Sequence, residues 1–351
     1  MPIKNPATEN EDTKAPWIIV VPISGVTPFP GDGLDEVELI RVTLIEKSKL
    51  LRSRSRFPVK RHKDFLSRGV SWHNNFESAK MFAVLRFTGT LKDIRPKCLK
   101  LVEEELAIFS TCRIGMKRGS SSTIGIIGQH SEAFIAHAFL DTTSKRASMQ
   151  NERVKQGMPL LLAHFWKDYQ KHTFFPMLLR ILRGKENVSP TWRDDLRSAS
   201  ILIGRSYNCS DVPTAFLFQM IALETLLTRQ GDKYTDDLPE RIEAFLGWIG
   251  IWDSGKFAAR IQEAYRRRCG IVHAGNLNCV TIEDLLFIDD IIYNILNNLI
   301  GHIHRFKSKD DIIDFSKKVA AERTLGIKSK IRPKTLQFIE RKYTANDKNK
   351  I

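Results

Sequence analysis

The stretch from Tyr265 to Gly275 reads Tyr-Arg-Arg-Arg-Cys-Gly-Ile-Val-His-Ala-Gly and closes a segment with strong helical periodicity. The apolar residues of that segment recur at the spacing of one helix face: Phe257, Ile261, Ala264 and Tyr265. Arg268 falls on the same face, whereas Arg266 points to the opposite side and Arg267 points sideways. A charge on an apolar face needs a partner or a water-filled groove, so the pattern singles out Arg268.

Arg268 and His273 are chemically suited to cutting RNA without a metal. A guanidinium binds phosphate, and an imidazole transfers protons near neutral pH. In an unbroken helix, side chains five positions apart diverge by roughly 140° and do not share a site. Gly270 is a natural helix stop, and a break there predicts that the imidazole returns beside the guanidinium. The alternative is that three arginines occupy a helix C-terminus favourably and that His273 is an ordinary loop residue.

Glu224 is a second polar residue on an apolar helical stripe. The residues that share this stripe are Leu217, Met220, Ile221 and Leu227. A carboxylate there is costly unless it is paired, and Arg268, Arg197 and His273 are its candidate partners. The pair either only fixes the packing or belongs to a functional site, and the pattern leaves both interpretations open.

Before this helical region, the chain alternates between strand and helix patterns. Residues 1–16 are polar and predicted to be a disordered tail, and residues 17–150 are predicted to form a mixed α/β domain. The predicted strands are Trp17–Ile23, Val37–Ile45, Met81–Phe87 and Ala133–Leu140, and the predicted helix is Lys97–Phe109. The run Pro159–Leu182 is apolar and aromatic, which predicts a helix interrupted at Pro176 within a helical connector, 151–188.

The second half of the chain is almost wholly helical in pattern. Helices are predicted near 191–207, 213–229, 237–249, 253–269, 281–305 and 309–322. Thr281 and Asp284 predict a capping box at the start of the longest helix. Its apolar side carries Leu285, Ile288, Ile292, Ile295, Leu299 and Ile303. The fold class is therefore α+β: an N-terminal mixed α/β domain, then an all-α bundle over 189–306, then a short helix and basic tail over 307–351.

Composition restricts the partners and the compartment. The 351 residues carry a net charge of +15, which favours a polyanionic partner, although a merely basic soluble protein has the same composition. No run approaches ~18 apolar residues, so no membrane span is predicted. The five cysteines are scattered and include no Cys-x-x-Cys pair, which indicates a reducing cytoplasm and no structural zinc. Neither a metal nor a cofactor is predicted.

Two further basic segments are candidates for RNA contact. The first is a run near Phe57 and Phe65 that contains Arg52, Arg54, Arg56, Lys60, Arg61 and Lys63. This run suits phosphate contact and base stacking, and it equally suits a solvated loop or edge strand. The second is the tail from Arg323 to Ile351, which is either a nucleic-acid arm or simply solvated.

A resemblance extends these observations over roughly residues 190–306. The Ala-Leu-Glu-Thr-Leu-Leu helix around Glu224, followed about forty residues later by Tyr-x-x-Arg-Cys-x-Ile-Val-His-Ala-Gly, resembles the Apea-like HEPN domain. That family folds as a helical bundle that usually dimerises, with Arg-x(4–6)-His motifs from two protomers facing each other. Many members are metal-independent endoribonucleases in toxin–antitoxin and anti-phage systems, and others are inert binding or dimerisation modules. Catalytic members commonly have Asn, Ser or Asp where this chain has Cys269.

The resemblance implies a HEPN-like bundle with an RNA-cutting site. Its catalytic residues are Arg268 and His273, with Tyr265, Glu224 and Cys269 in supporting positions. Together with the basic run near Phe57, the candidate RNA-contacting residues are Arg266, Arg267, Arg52, Arg54, Arg56, Lys60 and Arg61. The expected partners are RNA, a second copy of the chain and an antitoxin or defence protein in the cytoplasm. The expected function is an endoribonuclease acting as a toxin or anti-phage effector; the alternative is an inert HEPN module in RNA or protein binding.

Overall fold

The chain folds into two compact units of the α+β class. The computed structural model describes residues 14–28, 36–52, 79–127, 134–141, 146–153, 160–162, 171–246, 254–326 and 339–351. The first unit is drawn from residues 1–103, 119–163 and 350, and the second from residues 104–118, 164–349 and 351. The predicted segments 17–150, 151–188 and 189–306 divide the chain differently. No helix in the described ranges has the length and apolar character needed to cross a membrane.

An antiparallel sheet forms the centre of the first unit. Its strands are β1 (Ala15–Ser24), β3 (Glu36–Glu38), β4 (Val42–Glu46), β5 (Met81–Gly89) and β6 (Gly125–Ile126), in the order β3-β4-β5-β1-β6. β1 and β5 pair along their whole length, with Trp17 opposite Phe87 and Val20 opposite Val84. β-Branched and aromatic side chains fit such a pleated surface, which explains why the sequence pattern predicts these two strands correctly.

The predicted strand Val37–Ile45 is in fact two strands, β3 and β4. The amide of Leu39 donates to the carbonyl of Val42 at 2.8 Å and closes a tight turn between them. The helix α1 (Lys47–Arg52) follows β4, and Leu50 packs with Ile45 and Phe82 in a buried cluster. Apolar residues continue through the turn, so a count of apolar residues along the sequence does not separate the two strands of this hairpin.

The helix α2 (Leu91–Ser110) begins six residues before the predicted Lys97. The hydroxyl of Thr90 accepts from the amide of Asp93 at 3.2 Å and caps the helix. Pro96 lies inside the helix, although proline usually marks a helix boundary in sequence. A 3₁₀ turn, Thr111–Gly115, follows directly.

The other strands of the described residues are β2 (Val26–Pro28), β7 (Phe134–Asp141), β8 (Arg146–Arg153) and β9 (Leu160–Leu162). The end of β8 and all of β9 lie in the region 151–188, which is predicted as a helical connector. β2 pairs in parallel with β9, and β7 pairs antiparallel with β8. The predicted helix is thus wrong at Leu160–Leu162. The helix α3 (Phe175–Leu182) has Pro176 in its first turn. Backbone amides there have no acceptor within the helix, so the missing N–H of proline costs nothing. Pro176 therefore begins this helix and does not interrupt one.

The second unit is a helical bundle. Its helices are α4 (Pro190–Asn208), α5 (Val212–Leu227), α6 (Tyr234–Leu246), α7 (Ser254–Ala274), α8 (Ile282–Gly301), α9 (Lys309–Thr324) and α10 (Ala345–Lys348). Each helix from α4 to α9 begins within three residues of its predicted start. The predicted capping box is present, since the Thr281 hydroxyl accepts from the Asp284 amide at 3.3 Å and the Asp284 carboxylate accepts from the Thr281 amide at 2.8 Å. All six apolar residues predicted for α8 are buried, although Ile303 lies beyond its end at Gly301.

Candidate functional site

The motif helix α7 runs without a break through Gly270. It ends at Ala274, five residues beyond the predicted end, and Gly275 follows with a φ of +62°. The amide of Gly275 donates to the carbonyl of Ile271 at 3.1 Å, which closes the helix end as in an αL motif. The predicted break at Gly270 is wrong. A glycine inside a helix costs only about 1 kcal/mol, and the left-handed conformation that ends the helix is adopted at Gly275.

Arg268 and His273 are consequently not brought together within one chain. Five residues on a continuous helix place their side chains roughly 140° apart. Arg268 lies on the inner side with 19% of its side chain exposed, whereas His273 is exposed at the helix end. Any site that uses both groups needs an imidazole from elsewhere.

Arg268 forms a two-point ion pair with Glu224 of α5. Its Nε lies 2.9 Å from Oε1 of Glu224, and its Nη2 donates to Oε2 at 2.9 Å. Among the three candidate partners of Glu224, the structure therefore selects Arg268. Arg197 instead lies 3.4 Å from a carboxylate oxygen of Glu104. Burial raises the pKa of Glu224, and the nearby Arg268 charge offsets part of that rise.

Tyr265 lies beside this ion pair. The Cζ atom of Arg268 is 6.0 Å from the centre of the Tyr265 ring. The ring of Tyr234 stacks on that of Tyr265, with ring centres 5.8 Å apart. Burial and the neighbouring thiol of Cys269 raise the pKa of Tyr265, with a further contribution from the Glu224 carboxylate. Tyr265, Glu224 and Cys269 are thus grouped around Arg268. Tyr234 was not predicted, because its polar surroundings give no apolar periodicity.

The other two arginines of the motif make ion pairs on the protein surface. Arg266, with 67% of its side chain exposed, lies 2.8 Å from Glu263. Arg267 contacts Glu263 at 3.3 Å and also donates to Asp284, the residue that caps α8. The hydrogen bonds from Arg267 and Arg266 lower the pKa of Glu263. The orientations predicted for Arg266 and Arg267 are correct, but part of their charge is neutralised by these carboxylates.

The end of α7 also exposes apolar side chains. Val272 is 47% exposed and Leu277, in the short 3₁₀ turn Leu277–Cys279, is 49% exposed. They flank His273 in sequence. Exposed large apolar residues at the end of the motif helix would suit a contact surface if they form one patch.

The remaining predicted residues lie elsewhere. Arg52 is exposed at the end of α1, where it donates to the hydroxyl of Ser48 at 2.9 Å. Arg54, Arg56, Lys60 and Arg61 lie outside the described residues. In the described ranges, no group of three or more His, Cys, Asp or Glu side chains is arranged to hold a metal ion.

His302 and His304 do not diverge as their sequence spacing predicts. The predicted helix 281–305 ends at Gly301, and the two rings lie 6.1 Å apart, centre to centre, in the turn that follows. Burial lowers the pKa of His302, and electrostatic interaction with His304 and Arg305 lowers it further.

Comparison of the chain with models of protein families, with characterised proteins and with solved structures found no match.

Proposed function

We propose that this protein is a metal-independent endoribonuclease of the HEPN type that acts as a toxin or anti-phage effector. The main support is the Arg268–Glu224 pair. It holds a guanidinium in a fixed orientation on the inner side of α7, with Tyr265 beside it and His273 at the end of the same helix. A guanidinium held in this way suits a phosphate whose charge rises during cleavage.

The proposed site is formed by two copies of the chain. Because α7 is continuous, Arg268 of one copy needs the imidazole of His273 from the other. The exposed Val272 and Leu277 beside His273 offer an apolar surface for that contact. A two-fold axis near the end of α7 would give two identical composite sites, since both copies present the same surface.

In the proposed mechanism, His273 removes the proton from a ribose 2′-hydroxyl. The 2′-oxygen attacks the adjacent phosphorus, and the bond from phosphorus to the 5′-oxygen breaks as that oxygen takes up a proton. Arg268 stabilises the charge on the non-bridging phosphate oxygens. The products are a 2′,3′-cyclic phosphate and a 5′-hydroxyl. DNA lacks the 2′-hydroxyl and is therefore not a substrate.

The first test measures RNA cleavage in EDTA by the wild type and three variants. His273→Ala and Arg268→Ala should each slow cleavage on the order of 10²–10⁴-fold. His304→Ala, which removes an exposed histidine from the far end of α8, serves as the control and should cut at the wild-type rate. Equal cleavage by the wild type and His273→Ala would remove His273 from the mechanism.

A second test asks whether the two groups come from different copies. Arg268→Ala and His273→Ala chains are mixed and allowed to exchange. About one quarter of the wild-type rate is expected, because half of the dimers are mixed and each has one intact composite site. If the mixture stays as inactive as the separate variants while mixed dimers are present, Arg268 and His273 do not act across the interface.

The second candidate function is an inert HEPN module that binds RNA or protein. One observation favours it: Arg268 already donates to Oε2 of Glu224 and its Nε lies 2.9 Å from Oε1, so a phosphate must compete with a carboxylate for the guanidinium. In addition, the thiol of Cys269 is a weak hydrogen-bond donor. RNA binding that persists without any cleavage distinguishes this module from the nuclease.

A further inference from the structure

The C-terminal segment of the chain docks on the helical unit. We call residues 339–348 the strap. Its clearest contact is Arg341, whose side chain is only 8% exposed. The Nε of Arg341 donates to Oδ1 of Asp290 at 2.6 Å. Part of the sequence predicted as a basic tail is therefore bound to the protein.

The guanidinium of Arg341 enters a pocket built from oxygen acceptors. Its Nη1 donates to the carbonyls of Ile114 and Met116 and to the hydroxyl of Tyr207, the last at 3.1 Å. The ring of Tyr293 lies 5.7 Å from Cζ. The two carbonyls belong to the end of the 3₁₀ turn, where unpaired carbonyls favour a cation. A carboxylate, two carbonyls and a tyrosine hydroxyl thus accept from Nε and Nη1 of one arginine side chain, whereas the buried Nη2 has no hydrogen-bond partner among the described residues.

Residues on both sides of Arg341 are also bound, Ile339 through its backbone and Tyr343 through its side chain. The side-chain amide of Asn294 donates to the carbonyl of Ile339 at 2.8 Å and accepts from its amide at 2.7 Å. The amide of Arg118 donates to the hydroxyl of Tyr343 at 2.9 Å. Further along the strap, the Lys348 ammonium lies 2.8 Å from a carboxylate oxygen of Glu283 on α8. The strap thus follows α8 from Asn294 toward its N-terminus and ends in the short helix α10; we call the surface that it covers the groove.

The strap adds polar contacts and little apolar burial. No residue of 339–351 is fully buried, and Ile339 is 40% exposed. The groove residues Asp290 and Asn294, by contrast, are 8% and 0% exposed. Other buried polar groups of α8 pair inside the bundle: Asp289 with Arg118 at 2.7 Å, and Asn298 with the carbonyl of Phe245 at 2.8 Å. The strap thus contributes polar contacts to the bundle and no fully buried apolar side chain to its core, as expected of a bound ligand.

We propose that the groove formed by the Ile114–Arg118 turn, Tyr207 and α8 is a peptide-docking site specific for an arginine, and that the chain fills it reversibly with its own strap. The occupant is residues 339–348 of the same chain. Polar, charge-assisted contacts without apolar burial give specificity with limited affinity. The strap therefore dissociates from the groove and rebinds. This inference does not depend on the proposed nuclease activity.

The test uses the full chain and a fluorescein-labelled peptide of residues 337–351. Arg341→Ala in the chain removes the anchor of its own strap and leaves the groove intact; Lys342→Ala changes an exposed neighbour and is the matched control. The Arg341→Ala chain should bind the peptide saturably. The wild-type and Lys342→Ala chains should bind at least tenfold more weakly, because their own strap competes at an effective concentration in the millimolar range. A peptide with the same Arg341→Ala change should lose at least tenfold in affinity.

Two results would overturn the proposal. One is a folded Arg341→Ala chain that does not bind the peptide, and the other is equal binding by all three chains. Hydrogen exchange of the wild type gives an independent check, in which strap amides should exchange at least tenfold faster than α8 amides near Asn294; equal rates would make the strap an integral part of the fold. A wild-type dimer that becomes monomeric on Arg341→Ala would assign the groove to the strap of a second copy.

Discussion

Glu224 and Arg268 illustrate how burial and charge compete at a single pair of side chains. Burial opposes ionisation of Glu224 and raises its pKa above the ordinary 4.5, while Arg268 acts in the other direction. Both charges are retained because the guanidinium meets the carboxylate at two points. The pair therefore orients Arg268, and its contribution to the free energy of unfolding depends on pH. This dependence can be measured.

Glu224→Gln tests the sign of that pH dependence. A carboxyl whose pKa is raised in the folded state binds protons more tightly there, so folding stability falls as pH rises from about 4.5 through the raised value. The free energy of unfolding of the wild type, measured in urea from pH 4 to 8, should fall relative to Glu224→Gln across that window. Glu240→Gln, an exposed carboxylate on α6, controls for the loss of one surface charge. A difference that rises with pH contradicts the raised pKa and indicates that the Arg268 charge dominates.

Some of these residues could be predicted from sequence, and the reasons differ from residue to residue. Glu224 and Arg268 were predicted to lie inward because each interrupts an apolar stripe, and a buried charge requires a partner. Arg341 was not predicted, because a basic residue in a polar tail shows no periodicity and its pocket is assembled from distant parts of the chain. His273 could not be placed, because its position depends on which of two glycines ends the helix.

Helix α7 shows which features of an element follow from local sequence. Its apolar face and its beginning were predicted from residues 257–265. Its end was predicted too early, because both Gly270 and Gly275 are possible stops and only Gly275 adopts a positive φ. The sequence also merged β3 and β4 into one strand, since apolar residues continue through the turn. Periodicity predicts which face of an element is buried more reliably than where the element ends.

The contact of α4 with α2 depends on a glycine. A Cβ at Gly204 would lie 1.8 Å from the carbonyl oxygen of Ala107, so the two helices touch at their backbones. Gly204→Ala should therefore lower the free energy of unfolding by about 1–3 kcal/mol, because the helices must move apart. Gly301→Ala, where an added Cβ has no neighbour within 4 Å, is the matched control and should be neutral or slightly stabilising. Urea unfolding of both variants measures the difference, and an unchanged Gly204→Ala would mean that the helices tolerate separation.

At the scale of the whole molecule, part of the positive charge is already paired with carboxylates and is less available to a partner. The chain carries +15, yet in the helical unit Arg118, Arg268 and Arg341 are committed to carboxylates inside the protein. The motif arginines Arg266 and Arg267 are also paired with carboxylates. Contact with RNA phosphates must then rely more on basic residues outside these pairs, and the run from Arg52 to Lys63 is the densest set in the sequence.

Salt dependence distinguishes this run from a solvated loop. Each phosphate contact on single-stranded RNA contributes about 0.7 to the slope of log affinity against log salt concentration. Changing Arg54 and Arg56 together to glutamate should therefore reduce the slope by about 1.4, measured by fluorescence anisotropy between 50 and 300 mM KCl. The same double change at Lys317 and Lys318, exposed residues of α9, leaves the slope unchanged if the run is the contact surface. Equal effects of the two double variants would mean that RNA responds only to the total charge, and the run would then have no specific part in binding.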